Sequence, residues 1–269
     1  MRKPKSIVDK RTLANVNLFA ILRNLEDLLN LDAEAVEILG DKSLNLKISV
    51  FKGPTGSLHF SEGKCVFQPS RDNPDAIFFF RSLHHFNQLT QKKAMPILLK
   101  GFTSIPFLLN QFKKMTDLLD KYLHPTVTDL QDERLMRTNT ILTFFTVFYA
   151  MVEVANSDPV GRKVAARIPD SVIHIYIEDG AEAAVTVTAH EGTLSIEKGL
   201  HHKADAILNF SSFSSANQLL LQLKDHHVSL VEGGVRLFGH LGILDELNCL
   251  LYRLPFYVDE EYEGKPEPA

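Results

Sequence analysis

Apolar positions at helical spacing open the chain. Leu13, Val16, Leu18, Ile21, Leu22, Leu25, Leu28 and Leu29 fall on one face of a helix, and Gly40 is placed to end the segment. Short runs of strand type follow, LNLKISVF, SLHF, KCVFQ and DAIFFF, broken by the turn-forming GPTG, EG and RDNP. Ser82 predicts an N-cap for the next helix, and ILLK before Gly101 predicts a further strand. Ile105, Leu108, Phe112, Met115, Leu119 and Tyr122 predict an amphipathic helix that stops near His124-Pro125. Thr128 and Gln131 have capping-box spacing and predict the start of a long apolar helix through Glu153, and Asp158-Pro159 opens a short helix after it. SVIHIYIE, AAVTVTAH, TLSIEK and DAILNF then predict a second sheet. Ser212 predicts a cap, GGVRLFG one more strand, and LGILDELNCLLYRL a closing helix.

The two halves follow one plan. DAIFFFRSLHHFNQL (75–89) and DAILNFSSFSSANQL (205–219) share eight of fifteen positions, where composition alone gives about one. Glu62-Gly63 matches Glu191-Gly192, and Pro96 to Gly101 lies over Gly234 to Gly239. The pattern predicts a duplicated α+β unit of roughly 120 residues, an ordinary domain size. The expected organisation is a basic N-terminal arm (1–12), a first domain (13–127), a second domain (128–258) and an acidic disordered tail (259–269).

Composition narrows the class. Apolar residues make up 45% and charged residues 23%, the balance of a soluble globular protein. Cys65 and Cys249 sit at unrelated places, which implies neither a disulfide framework nor a metal knuckle and suits a reducing cytoplasm. The N-terminus has no clean apolar core or small-residue cleavage site, so no secretory signal is expected. TNTILTFFTVFYAMVEVA (138–155) approaches membrane-span length, but Asn139, four threonines and Glu153 make it read as a buried core helix. Residues 1–125 hold 18 Lys/Arg and 12 Asp/Glu (18 − 12 = +6), and residues 126–269 hold 11 and 21 (11 − 21 = −10). The halves could attract each other, the basic half could face an anionic membrane surface or an acidic protein partner, or the charges could have diverged after duplication; the sequence leaves these open.

Catalytic signatures are missing where chemistry would need them. GGVRLFGHLG lacks both the Gly-Lys-Ser/Thr ending of a phosphate loop and the GxGxxG spacing, there is no GxSxG elbow, and His190-Glu191 lacks the second histidine of a zinc helix. His84-His85, His201-His202 and His226-His227 are adjacent pairs whose side chains point apart, so they read as turn histidines and not as chelators. The short basic arm on an acidic chain gives no nucleic-acid stripe. No catalytic residue, metal, cofactor or nucleic-acid partner is expected, and the chain does not read as an enzyme.

What remains is an excess of bulky apolar residues around the repeated phrase. Phe78, Phe80, Phe86, Leu99 and Phe102 in the first copy, and Leu208, Phe210, Phe213, Leu219, Leu220, Leu223, Leu237, Phe238 and Leu241 in the second, are the candidate site residues. A strand apolar on both faces is either buried between layers or turned to a cavity, and the residues alone do not separate core from cavity wall.

These phrases resemble the sterol carrier protein type 2 domain. In the second copy the resemblance is carried by Asp205-Ala206-Ile207, Ser212, Leu219-Leu220, Gly233, Val235-Arg236-Leu237, Gly239-His240 and Gly242. The first copy matches at Asp75-Ala76-Ile77, Ser82 and Lys100-Gly101, with Pro96 and Ser104 where the pattern has glycines. The resemblance covers roughly 45–123 and 171–254. It implies two tandem units, each a mostly antiparallel five-stranded sheet covered by helices around an apolar tunnel. Such a tunnel binds and carries a sterol, fatty acid, acyl-CoA or other lipid, with the last helix as a gate hinged at Gly101, or at Gly239 and Gly242. The other reading is a structural or accessory protein-interaction module whose cavities are filled.

Overall fold

A computed structural model describes residues 8–69, 73–90, 93–126, 128–178, 180–221 and 232–258. The described chain forms two compact units, one within Lys10–Thr126 and the other made by the residues from Thr128 on, together with Val8 and Asp9.

The first unit opens with helices α1 (Lys10–Val16), α2 (Leu25–Leu31) and α3 (Ala33–Leu39), with a π turn at Asn17–Ile21 and a 3-10 turn at Leu22–Asn24 between α1 and α2. The single predicted helix is therefore segmented. The Asp32 carboxylate accepts hydrogen bonds from the Glu34 and Ala35 backbone amides and starts α3 separately. Lys10, Arg11 and Thr12, read from sequence as part of a basic arm, belong to α1, and Thr12 is buried. Strands β1 (Leu44–Val50), β2 (Thr55–Ser61), β3 (Lys64–Gln68), β4 (Ala76–Phe80) and β5 (Ile97–Lys100) form a sheet in the order β3-β2-β1-β4-β5. Only β1 and β4 pair in parallel. Helix α4 (Leu83–Thr90) links β4 to β5. After β5, a helical run begins at Phe102, passes through α5 (Ile105–Phe107) and a π turn (Leu108–Phe112), and ends with α6 (Lys113–Leu123).

The second unit repeats this order. Helix α7 (Glu133–Ser157) and the short α8 (Gly161–Ala165) lead into β6 (Ser171–Ile177), β7 (Gly180–His190), β8 (Thr193–Lys198), β9 (Ala206–Phe210) and β10 (Val235–Gly239), ordered β8-β7-β6-β9-β10. Again the one parallel pair joins the first and fourth strands. Helix α9 (Phe213–Leu220) follows β9, and α10 (Leu241–Leu251) and α11 (Pro255–Val258) close the unit. The long helix begins at Asp132, whose carboxylate accepts from the Leu135 amide, and not at Thr128, which starts a separate 3-10 turn with no side-chain cap. By length and composition α7 could cross a membrane, yet most of its apolar stretch is buried inside the unit. Its aromatic residues explain that burial, since Phe144 and Phe148 lie edge-on to each other and against Phe210 of the sheet.

Candidate functional site

The identities shared by the two copies hold the fold. The Asp75 carboxylate accepts from the Asn45 amide at 2.8 Å, and the Asp205 carboxylate accepts from the Val172 amide at 2.9 Å, so each aspartate fixes the start of the parallel strand pair. The Ser82 and Ser212 hydroxyls each accept from the amide three residues on, at 3.1 Å, which caps α4 and α9. The asparagines of the repeated NQL are buried and reach back to the leading helix. Asn17 donates to Asn87 at 3.3 Å, and Asn217 donates to Asn139 at 2.6 Å and to Thr140 at 2.9 Å. Both repeated Glu-Gly pairs have positive φ at each residue, 52° and 73° at Glu62-Gly63 and 49° and 74° at Glu191-Gly192, the geometry of a tight type I′ hairpin. Among the described residues nothing common to the two copies explains the repeated glutamine, and Gln218 alone reaches a side chain, Ser214 at 3.5 Å.

A further pair recurs outside the repeated phrases. In the first unit the Tyr122 hydroxyl donates to Asp32, and in the second the Tyr257 hydroxyl donates to Asp158 at 2.5 Å. Each aspartate also caps the short helix ending its unit's helical lead. Asp158 does so through the Val160 and Gly161 amides and takes a further bond from Arg253 at 3.0 Å. Burial pushes the Asp158 carboxyl up, but the bonds from Tyr257, Gly161 and Arg253 outweigh it and hold the group below its ordinary value. Burial and the bond to Asp158 push the Tyr257 hydroxyl above its own. These clasps tie the C-terminal helical segment of each unit to its leading helices.

Among the fourteen candidate residues, strand register brings some together and separates others. β4 runs parallel to β1 with Ile48 beside Phe78 and Val50 beside Phe80, and β9 runs parallel to β6 with Ile175 beside Leu208 and Ile177 beside Phe210. Ile48, Val50, Ile175 and Ile177 are buried, so Phe78, Phe80, Leu208 and Phe210 share the helix-covered face, as does Leu237 opposite Leu208. Phe86 of α4 is fully buried and edge-on to Phe80. Phe213 is buried between Gly180, where a Cβ would come within 2.3 Å of its ring, and the Arg137 guanidinium 4.0 Å from the ring centre. Leu219 and Leu220 are half-buried on α9.

Four candidates lie elsewhere. Phe238 pairs with Ile207, so alternation puts it on the opposite face of the sheet from Leu208, and it is 50% exposed. Leu241 is exposed because α10 buries Ile243, Leu244, Leu247 and Leu250, the opposite side of the helix. Leu99 and Phe102, flanking Gly101, are also exposed. Leu223 lies outside the described residues.

The interiors of the two units differ. In the first, Phe60 meets Phe107 and Phe112 at ring-centre distances of 5.8 and 6.3 Å, and Phe78 meets Phe112 at 5.9 Å. Phe60 and Phe112 were absent from the sequence-based set, although Phe112 belongs to the helical stripe that the sequence displays. In the second, Leu208 stands where the first has Phe78, and Leu208 and Leu237 remain half-buried on the covered face. A surface cleft of about 470 Å³ lies in the first unit among Arg81, Ser82, His85, Met95 and Ile97. Among the described residues no three His, Cys, Asp or Glu side chains group as metal ligands.

No family model matches the chain, and no curated protein matches it. Sterol carrier protein domains are among the solved structures it is similar to. Sterol carrier protein domain 2 of Helicoverpa armigera is 14% identical, with 47% of this chain and 93% of that chain covered and a TM-score of 0.34. Sterol Carrier Protein 2 from Yarrowia lipolytica, in its apo form, is 17% identical over 41% of this chain and 91% of that one, with a TM-score of 0.32. The inverting sec-alkylsulfatase Pisa1 from Pseudomonas sp. is 13% identical, with a TM-score of 0.28 over 55% of this chain and 29% of the sulfatase.

Proposed function

We propose that the chain binds a hydrophobic small molecule without covalent chemistry, in the interior of its second unit. The ligand class is a sterol, fatty acid, acyl-CoA or other lipid, carried in the cytoplasm. One observation carries this reading: Leu208 lies on the helix-covered face of the sheet yet remains half-buried, whereas Phe78 at the same position of the first unit is buried edge-on to Phe112. Apolar surface that stays half-buried on a covered face gains from a ligand what it lacks from protein. Each sequestered CH₂ contributes about 0.8 kcal/mol, so an acyl tail of about sixteen carbons gains on the order of 10 kcal/mol over water. A bilayer offers the tail nearly the same, which makes uptake and release close to balanced.

Native mass spectrometry of the purified full chain, followed by lipid extraction, tests the reading. A stoichiometric hydrophobic ligand is expected; an empty protein that also takes up neither fluorescent fatty acid nor fluorescent sterol overturns it. Leu208→Phe, which imports the residue of the first copy, should lower uptake while leaving the circular dichroism spectrum unchanged.

The second reading, an accessory interaction module with filled interiors, is favoured for the first unit by the Phe60–Phe78–Phe107–Phe112 cluster. A first unit packed with phenylalanines and a second that binds the ligand fit a division of labour between the copies.

A further inference from the structure

The helical run after β5 is amphipathic in an unusual sense. Its inner positions, Phe107, Leu108, Met115, Leu118, Leu119 and Tyr122, are buried as expected. Its first outward turns are also apolar: Phe102 is 66% exposed, Ile105 37% and Leu109 61%, with Leu99 at the end of the neighbouring strand 55% exposed. Positions 102, 105 and 109 recur at helical spacing and make one outward stripe, which continues into the exposed Lys113. Lys100 is exposed beside it, its ammonium also donating to the Pro74 carbonyl. A solvent-facing helix surface normally carries polar residues there, and an apolar patch rimmed by lysines is a docking surface.

Charge decides what docks. Residues 99–114 contain three lysines and no carboxylate, whereas the equivalent stretch of the second copy, 237–252, contains Asp245 and Glu246 and no Lys or Arg. A second copy of the chain would bring lysine against lysine in a symmetric contact. We propose that the first unit docks on an anionic lipid bilayer, with Phe102, Ile105, Leu109 and Leu99 entering the headgroup–acyl boundary and Lys100, Lys113 and Lys114 facing the acidic headgroups. This surface is independent of the ligand site proposed for the second unit.

Co-sedimentation of the full chain with phosphatidylcholine vesicles, with and without phosphatidylserine, tests this. Binding is expected only with phosphatidylserine and should weaken as salt rises. The double variant Phe102→Ser/Leu109→Ser should weaken it roughly tenfold or more, and Lys113→Gln and Lys114→Gln about fivefold each. All of these side chains are exposed, so melting temperatures should match wild type, and fatty-acid uptake read on the same variants separates loss of docking from loss of ligand binding. Equal sedimentation with both vesicle types, or wild-type affinity in the Phe102→Ser/Leu109→Ser variant, overturns the proposal. So does a dimer in light scattering that this variant dissociates.

Discussion

Gly239 has φ of 80°, and a Cβ on it would lie 2.2 Å from the Asp205 carbonyl oxygen; Gly101 has φ of 94° and would meet Ala76 at 2.5 Å. Each glycine lets one strand end pass against the Asp-Ala that starts its neighbour. Its conservation between the copies follows from this packing and needs no hinge. Gly239→Ala should therefore cost roughly 2–4 kcal/mol, read as a lower urea midpoint at unchanged slope. Asp158 gives the pH prediction. Its folded carboxyl titrates below its ordinary value, so the clasp stabilises fully above the unfolded titration and is lost as pH falls through the folded one, below about pH 4. Asp158→Asn should remove about 3 kcal/mol at neutral pH and flatten the acid limb of the stability curve.

At the scale of elements, the parallel pair β1–β4 and its counterpart β6–β9 build the covered faces on which the candidate site rests. Phe78→Ala should cost about 3 kcal/mol, since it opens a cavity against Phe112 and Ile48. The strands were legible in the sequence because apolar runs between Gly, Asn and Pro leave few alternatives, although β2 begins at Thr55 inside the GPTG read as a turn and β7 at Gly180, ahead of the predicted AAVTVTAH; both serine caps were legible for the same local reason. The segmentation of the first helical lead was not read, although Asp32 sits in capping position before Ala33; an unbroken apolar periodicity hid it. Register was harder still. Phe238 and Leu237 are neighbours of equal apolarity, and only the pairing with β9 reveals that one shares the covered face with Leu208 and the other does not. The Asp–Tyr clasps were invisible because each joins residues roughly a hundred positions apart, 90 in one unit and 99 in the other.

On the scale of the whole molecule, each unit has its own sheet and its own buried core, so calorimetry of the full chain should resolve two transitions. Phe78→Ala should lower one and Asp158→Asn the other; a single transition moved by both variants would contradict two independent cores. The charge split between the halves gains a use in the proposed bilayer contact, with the positive half carrying the lysine-rimmed stripe. Helix α7 brings a cost of a different kind, met during synthesis. It ends at Ser157, and the last element that packs against it, α10, ends at Leu251, 251 − 157 = 94 residues later. At cellular elongation rates that is roughly 5–19 s in which a 25-residue apolar helix has left the ribosome with its cover incomplete. For that interval this segment, buried once folding ends, is the part of the nascent chain that most needs a chaperone.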